Sequence, residues 1–249
     1  DMGVRIDYVE TNASWYRDMD SAMESLNLLE QHGLTTLLIS ISPFHNEHIP
    51  FSRVEGVFLA AQQTGIQLFP WVEGFIADLR KLELRRSHPF AEFEERFGKD
   101  YLSQVMQRYW IHPGGSALNV LRKVRPGYPP EQILKQEGKP CAADLSDTSH
   151  FHLDLFGNYI PGLCSGLAIA VQDLGHPLDP EKYPLLQRLY FEGVRGIYEL
   201  CREMYGFKAR QKQYVNKCDL CTEIRTHLAG HPQTAFTELK PTDFYLYGK

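Results

Sequence analysis

No cysteine occurs before position 141, no apolar run approaches the length of a membrane-spanning helix, and no basic stripe runs along the chain. Each absence excludes something. A bilayer-crossing helix needs about 20 consecutive apolar residues, so no membrane partner is expected. With 26 Lys and Arg against 31 Asp and Glu, the formal net charge of -5 gives no electrostatic footprint for nucleic acid. No basic segment followed by an apolar core opens the sequence, which makes a cytoplasmic protein the expectation. The patterns Gly-x-x-x-x-Gly-Lys-Ser/Thr, Gly-x-Ser-x-Gly and His-Glu-x-x-His are missing, so the NTPase, serine hydrolase and zincin readings lack support.

What is present begins with an alternation over the first 75 residues. Val4–Val9 is β-branched enough for a strand and ends in Glu10-Thr11-Asn12. Ala22, Met23, Leu26 and Leu29 repeat at helical spacing, and Gly33 stands where a helix stop belongs. Leu34–Ile41 is a near-continuous apolar run, the mark of a strand covered on both faces. Val54–Gln63 reads as a second helix and Ile66–Val72 as a third strand. Strand, helix, strand, helix, strand with short links predicts an α/β parallel sheet or barrel, whose ligands bind at the carboxyl ends of strands. Those ends are Glu10-Thr11-Asn12, the run from Ser40 to His48, and Trp71–Gly74. The run from Ser40 is as well suited to ligand contact as to capping the next helix, with Ser52 as its N-cap.

Residues 77–110 are charged and predict one or two long outer helices. Pro126–Pro130 is a linker candidate and divides the chain into domains 1–130 and 131–249. Beyond it, His150–Asp154 and Tyr159–Leu163 flank the turn Phe156-Gly157-Asn158 and predict a β-hairpin. Tyr183–Tyr205 predicts a long helix closed by Gly206, and a short helix spans Cys218–Leu228. Apart from these, His112-Pro113-Gly114-Gly115-Ser116 is a turn whose glycines permit close approach to a polar group, and His150 and His152 share one face of a strand.

Five cysteines lie in the second half: Cys141, Cys164, Cys201, Cys218 and Cys221. Cys218-x-x-Cys221 places two thiols on one helical turn, suited to a single metal centre. Cys141 and Cys164 flank the hairpin, which can return them to the same place. Four thiolates suit a [4Fe–4S] cluster or zinc, and spacing does not separate the two. Cys201 falls on the apolar stripe of the long helix and is expected in the core.

At this point the residues resemble a known family. Glu10-Thr11-Asn12-Ala13 and Ser40-Ile41-Ser42-Pro43-Phe44-His45, each after a strand, resemble successive strand ends of the radical S-adenosylmethionine partial barrel. Cys141, the hairpin around Gly157, Cys164 and Cys218-x-x-Cys221 resemble the SPASM or twitch auxiliary-cluster extension of that superfamily, with a wider gap between Gly157 and Cys164 than is usual there. The resemblance covers approximately residues 3–228. It implies an incomplete (β/α) barrel with a small C-terminal α+β extension, and chemistry in which a [4Fe–4S] cluster cleaves S-adenosylmethionine to a 5′-deoxyadenosyl radical. By the same analogy, Thr11 and Asn12 would lie near the amino-acid end of S-adenosylmethionine, Ser40 and Ser42 near its ribose, and Trp71 to Glu73 near its adenine or the substrate, with His45 a further cofactor-binding candidate. Cys141, Cys164, Cys218 and Cys221 would hold an auxiliary cluster. The substrate would be a small molecule or peptide, and an electron-donor protein a partner.

Two features of the family are missing: the Cys-x-x-x-Cys-x-x-Cys triplet and the Gly-Gly-Glu-Pro-like segment. The sequence is therefore expected to be a portion of such an enzyme, lacking its first strands and inactive alone. A zinc-stabilised, non-catalytic binding or scaffold protein is the alternative. A metal-free barrel lyase or isomerase using Glu73 and His45 as base and acid is a third reading.

Overall fold

The structure, a computed structural model, describes residues 6–115 and 117–246. Its contacts divide the chain into two units, 1–109 and 110–249, so the division falls before the Pro-rich segment at 126–130 rather than within it. That segment is tied into the second unit: Tyr128 forms a β-bridge with Tyr214, and a helix begins at Pro130. Among the described residues, no helix is long and apolar enough to cross a membrane.

The first unit contains three parallel strands in the order β1-β2-β3, namely β1 (Val9–Thr11), β2 (Thr36–Ser40) and β3 (Gln67–Trp71). Helix α1 (Met19–Gln31) joins the first pair. A short helix α2 (Pro43–Asn46) and then α3 (Phe51–Ala61) join the second. Strand β1 starts later than the apolar pattern predicts: register with β2 begins at Val9, so Glu10 and Thr11 belong to the strand rather than to the loop after it. Val4 and Arg5, part of that expectation, lie outside the described residues. The central strand β2 is buried along Leu37–Ser40, while Phe69 and Trp71 on β3 stay about half exposed. The sheet is open, and no closed barrel is formed among the described residues.

The charged stretch after β3 does not form long helices. It folds as α4 (Gly74–Leu79), α5 (Phe90–Phe97) and α6 (Tyr101–Arg108). Pro89 disfavours helical backbone at His88, and Gly98 closes α5. Aromatic residues of these helices, Phe90, Phe93, Phe97 and Tyr101, stack with centroids 5.0–6.3 Å apart, and Phe93 and Tyr101 are fully buried. Such pairs contribute about 0.5–1.5 kcal/mol each beyond their area.

The second unit contains α7 (Ala117–Val124), α8 (Pro130–Glu137), α9 (Ala142–Ser146), β4 (His152–Leu153), β5 (Asn158–Ile160), β6 (Ile169–Ala170), α10 (Pro184–Tyr205), α11 (Lys217–Ala229) and α12 (Asp243–Leu246). The predicted hairpin forms between β4 and β5, and β6 adds a third antiparallel strand that the sequence pattern did not reveal. At two residues, β6 is too short to show a period. Asp154 fixes the turn by accepting from the amides of Phe156 and Asn158. The core lies between α10 and α11, around Leu186, Leu189, Ile197, Leu220 and Ile224. Cys201 is buried within it, where burial alone pushes its thiol up to about 12.

Helix α10 is interrupted at Gly193, whose φ of 68° and ψ of -160° suit glycine almost alone. A β-carbon there would stand 2.1 Å from the Lys139 carbonyl oxygen. The segment before α9 is therefore pressed against α10, and the Leu189 carbonyl accepts from the Cys141 amide at 2.9 Å. The break in the helix is what lets Cys141 reach its position.

Candidate metal centre

The strand-end residues of the first unit come first. Thr11 Oγ1 accepts from Trp15 Nε1 at 2.8 Å and from the Ala13 amide at 3.1 Å. Asn12 Oδ1 accepts from the Ser14 amide. Ser42 caps α2 in place of the predicted Ser52, whose helix α3 instead follows Pro50. Ser42 Oγ also lies 2.7 Å from His45 Nδ1. Ser40 donates to Glu10 Oε1 at 2.6 Å, a partner that sequence reasoning had placed beside the site without assigning it a role. Burial lowers the pKa of His45, opposed by the charge of Glu10.

Asn12, Ser40, Ser42 and His45 line one cavity of about 10 Å³, together with Asn46, whose buried Oδ1 has no partner. That volume holds about one water molecule. Thr11, Trp71 and Glu73 do not line it. Ala13 and Val72, next to two of the strand ends, adopt φ of 63° and 61°, conformations that non-glycine residues take only when their surroundings impose them.

The second unit differs in scale. A cavity of about 370 Å³ is lined by Cys141, Cys164, Cys218 and Cys221 together. They come from four places: the residue before α9, the loop between β5 and β6, and two positions of the first turns of α11. Asn216 caps α11 by accepting from the Asp219 amide at 2.9 Å. Buried Asp219 fixes the helix from its other side through Arg122, at 2.6 Å. Cys218, Cys221, Thr222 and Arg225 follow the i, i+3, i+4, i+7 spacing of one helix face, and all four line the cavity.

His112, Pro113, Gly114 and Gly115 form another part of the wall, so the glycine turn singled out in the sequence does approach the cysteines. Asn216 Nδ2 holds it by donating to the Pro113 carbonyl at 3.1 Å. His150 also lines the cavity, and its Nε2 lies 3.1 Å from that of His152.

The electrostatics are those of crowded thiols beside cations. Burial, then the neighbouring Cys221, pushes both Cys164 and Cys218 up to about 12. Burial raises Cys141 as well, against the pull of Lys217, whose Nζ is 3.9 Å from its sulfur. Lys217 also pairs with Asp144 at 2.7 Å. Arg225 is only 4% exposed, yet it pairs with no carboxylate among the described residues. Its Nη1 donates to the Ser165 carbonyl at 2.9 Å and the Tyr245 hydroxyl at 2.8 Å, while its buried Nε has no partner. Burial opposes its charge; Tyr245, Cys221 and Cys164 favour it, and the balance keeps the guanidinium protonated.

The sequence reading missed Arg225 and Lys217. The signal was available for the first: Arg225 stands four residues after Cys221 on the same helix face.

Among the described residues, no group of three or more His, Cys, Asp or Glu side chains is arranged to hold one metal ion. A tetrahedral zinc site needs all four sulfurs at about 2.3 Å from a single centre. A four-iron cluster takes one thiolate on each iron and spaces them more widely around a larger volume.

No protein-family model, curated protein or solved structure matches this chain.

Proposed function

We propose that this chain is a portion of a radical S-adenosylmethionine enzyme whose second unit holds one auxiliary [4Fe–4S] cluster on Cys141, Cys164, Cys218 and Cys221. One observation carries the reading: four of the five cysteines, up to 80 positions apart in sequence, line one 370 Å³ cavity with a buried arginine that forms no ion pair among the described residues. Burial holds the thiols of Cys141, Cys164 and Cys218 above the ordinary range, and four crowded thiols ionise together at neutral pH only with added positive charge, which bound metal supplies. Once ionised, they provide the negative charge that Arg225 lacks among the described carboxylates. The donor set and the volume support the cluster reading.

When bound, such a cluster supplies one-electron transfer. The chain's own residues do the rest. Asn216 and Asp219 fix the start of α11 so that Cys218 and Cys221 face the cavity. The Leu189 carbonyl holds the Cys141 backbone. Arg225 and Lys217 favour thiolate over thiol.

S-adenosylmethionine belongs to the reading through the three strand ends. The 10 Å³ space at Asn12, Ser40, Ser42 and His45 is far below the several hundred Å³ of a small-molecule site, so the described residues of the first unit do not enclose it as they stand. Without the cysteine triplet, the span is not expected to generate the radical by itself.

The test is iron, sulfide and zinc content with a visible spectrum after anaerobic reconstitution. About four irons per chain, with matching sulfide, is the expected result. Stoichiometric zinc without iron would overturn it in favour of a structural clasp on a non-catalytic protein.

A further inference from the structure

We propose that Arg225 sets the redox poise of the group held by the four cysteines, stabilising its more reduced form and so making it an acceptor of single electrons. The inference rests on the cluster reading above and adds a role for a residue that is not a ligand.

An unpaired guanidinium removed from water is destabilising unless charge of opposite sign stands nearby. Arg225 has a carbonyl and two hydroxyls as partners, from Ser165, Tyr245 and Thr222, and all are neutral acceptors. The other groups around it able to carry negative charge are Cys164 and Cys221. Two other cations of the second unit are placed differently. Arg122 is matched by Asp219 and Lys217 by Asp144, so each brings a carboxylate with it. Arg225 thus adds to the cavity wall a positive charge with no directly paired carboxylate among the described residues, although Glu137, Asp144 and Asp147 line the same cavity and Asp144 is taken by Lys217.

A positive charge that water does not screen favours whichever state of a neighbouring centre is more negative. For a thiolate-bound iron–sulfur centre, that is the reduced state, so the reduction potential rises. The step is transfer of one electron from an external one-electron donor to the bound centre. No bond forms or breaks, and the guanidinium keeps its protons. The arginine's position on the cysteine face of α11 ties its distance from Cys221 to the helix repeat.

The experiment uses the full chain, reconstituted with iron and sulfide under anaerobic conditions, and follows a mediator-poised redox titration by visible absorption and electron paramagnetic resonance. Arg225→Gln should retain about four irons per chain. At a fixed poise its reduced-to-oxidised ratio should fall at least tenfold, equivalent to about 59 mV for a one-electron couple. Arg225→Lys, which keeps the charge, should stay within threefold of the parent. Should the glutamine variant not fold, Thr222→Asp replaces the hydroxyl that accepts from Arg225 Nη2 at 3.3 Å and neutralises the guanidinium in place. It should lower the ratio in the same direction. An unchanged ratio in a variant that binds iron normally overturns the role of Arg225 and leaves the cluster reading standing. Failure of the parent chain to bind iron overturns both.

Discussion

The two units answer the same question in opposite ways. In the first, Thr11, Asn12, Ser42 and His45 bond groups within four residues of themselves, and the space beside Asn12, Ser42 and His45 admits about one water. In the second, residues far apart in sequence converge on a cavity more than thirty times larger, and a buried cation there forms no ion pair among the described residues. Local polar clusters tend to satisfy themselves, because Ser, Thr and Asn readily bond to backbone two or three residues away. A demand for a ligand shows where the tertiary fold gathers groups that do not satisfy one another.

That contrast is open to test. The largest effect is expected from removing a cavity thiol. Cys164→Ser or Cys221→Ser should reduce retained iron at least tenfold after gel filtration of reconstituted protein, whereas Ser40→Ala in the first unit should leave it unchanged. Equal iron in all three variants would erase the distinction between the two sites.

Next in size is the break in α10. Gly193→Ala meets the Lys139 carbonyl in a backbone region that alanine avoids, and should cost about 3–4 kcal/mol in urea unfolding. Gly33→Ala at the end of α1, with φ of 90° but nothing within 4 Å, should cost about 1–2 kcal/mol. A Gly193 variant as mild as the Gly33 one would mean that Cys141 is not held by the contact described.

Metal-free protein should also show a pH signature. Cys164 and Cys218 titrate at about 12 in the folded chain, above the 9.0 of an ordinary thiol. Their protonated forms therefore contribute stability that is complete below the ordinary value and is lost as pH rises through the folded value. The urea midpoint should fall between pH 9 and 12, and the fall should be smaller in the double variant Cys164→Ser, Cys218→Ser. Identical slopes would remove the thiols from the account.

The smallest effect belongs to Ser42→Ala. Loss of this helix cap should cost about 1 kcal/mol in thermal or urea unfolding. Iron content and cluster spectrum should not change. A spectral change would break the separation drawn between the two candidate sites.

Much of the secondary structure was legible because it is written in local periods. Leu37–Ser40, the hairpin turn at Asp154–Asn158 and the stripe of α10 follow spacings that sequence shows directly. The fragmented helices after β3 were misjudged, since charge content suggested continuity while Pro89 and Gly98 decided otherwise. Strand β1 was placed too early, because apolar content does not reveal where pairing with β2 starts.

By itself the sequence determined that Cys218 and Cys221 share one helical turn, the helix face that carries Arg225 with them, and the identity of Cys201 as a core residue. These depend on the helical repeat and on apolar periodicity, both properties of neighbouring residues. Only the tertiary structure decided that Cys141 and Cys164 line the same cavity, that the glycine turn at 112–115 forms part of its wall, and that Arg225 has no carboxylate partner among the described residues. Those facts depend on which distant segments pack together, through the kink at Gly193 and the loop between β5 and β6, and no local spacing encodes them.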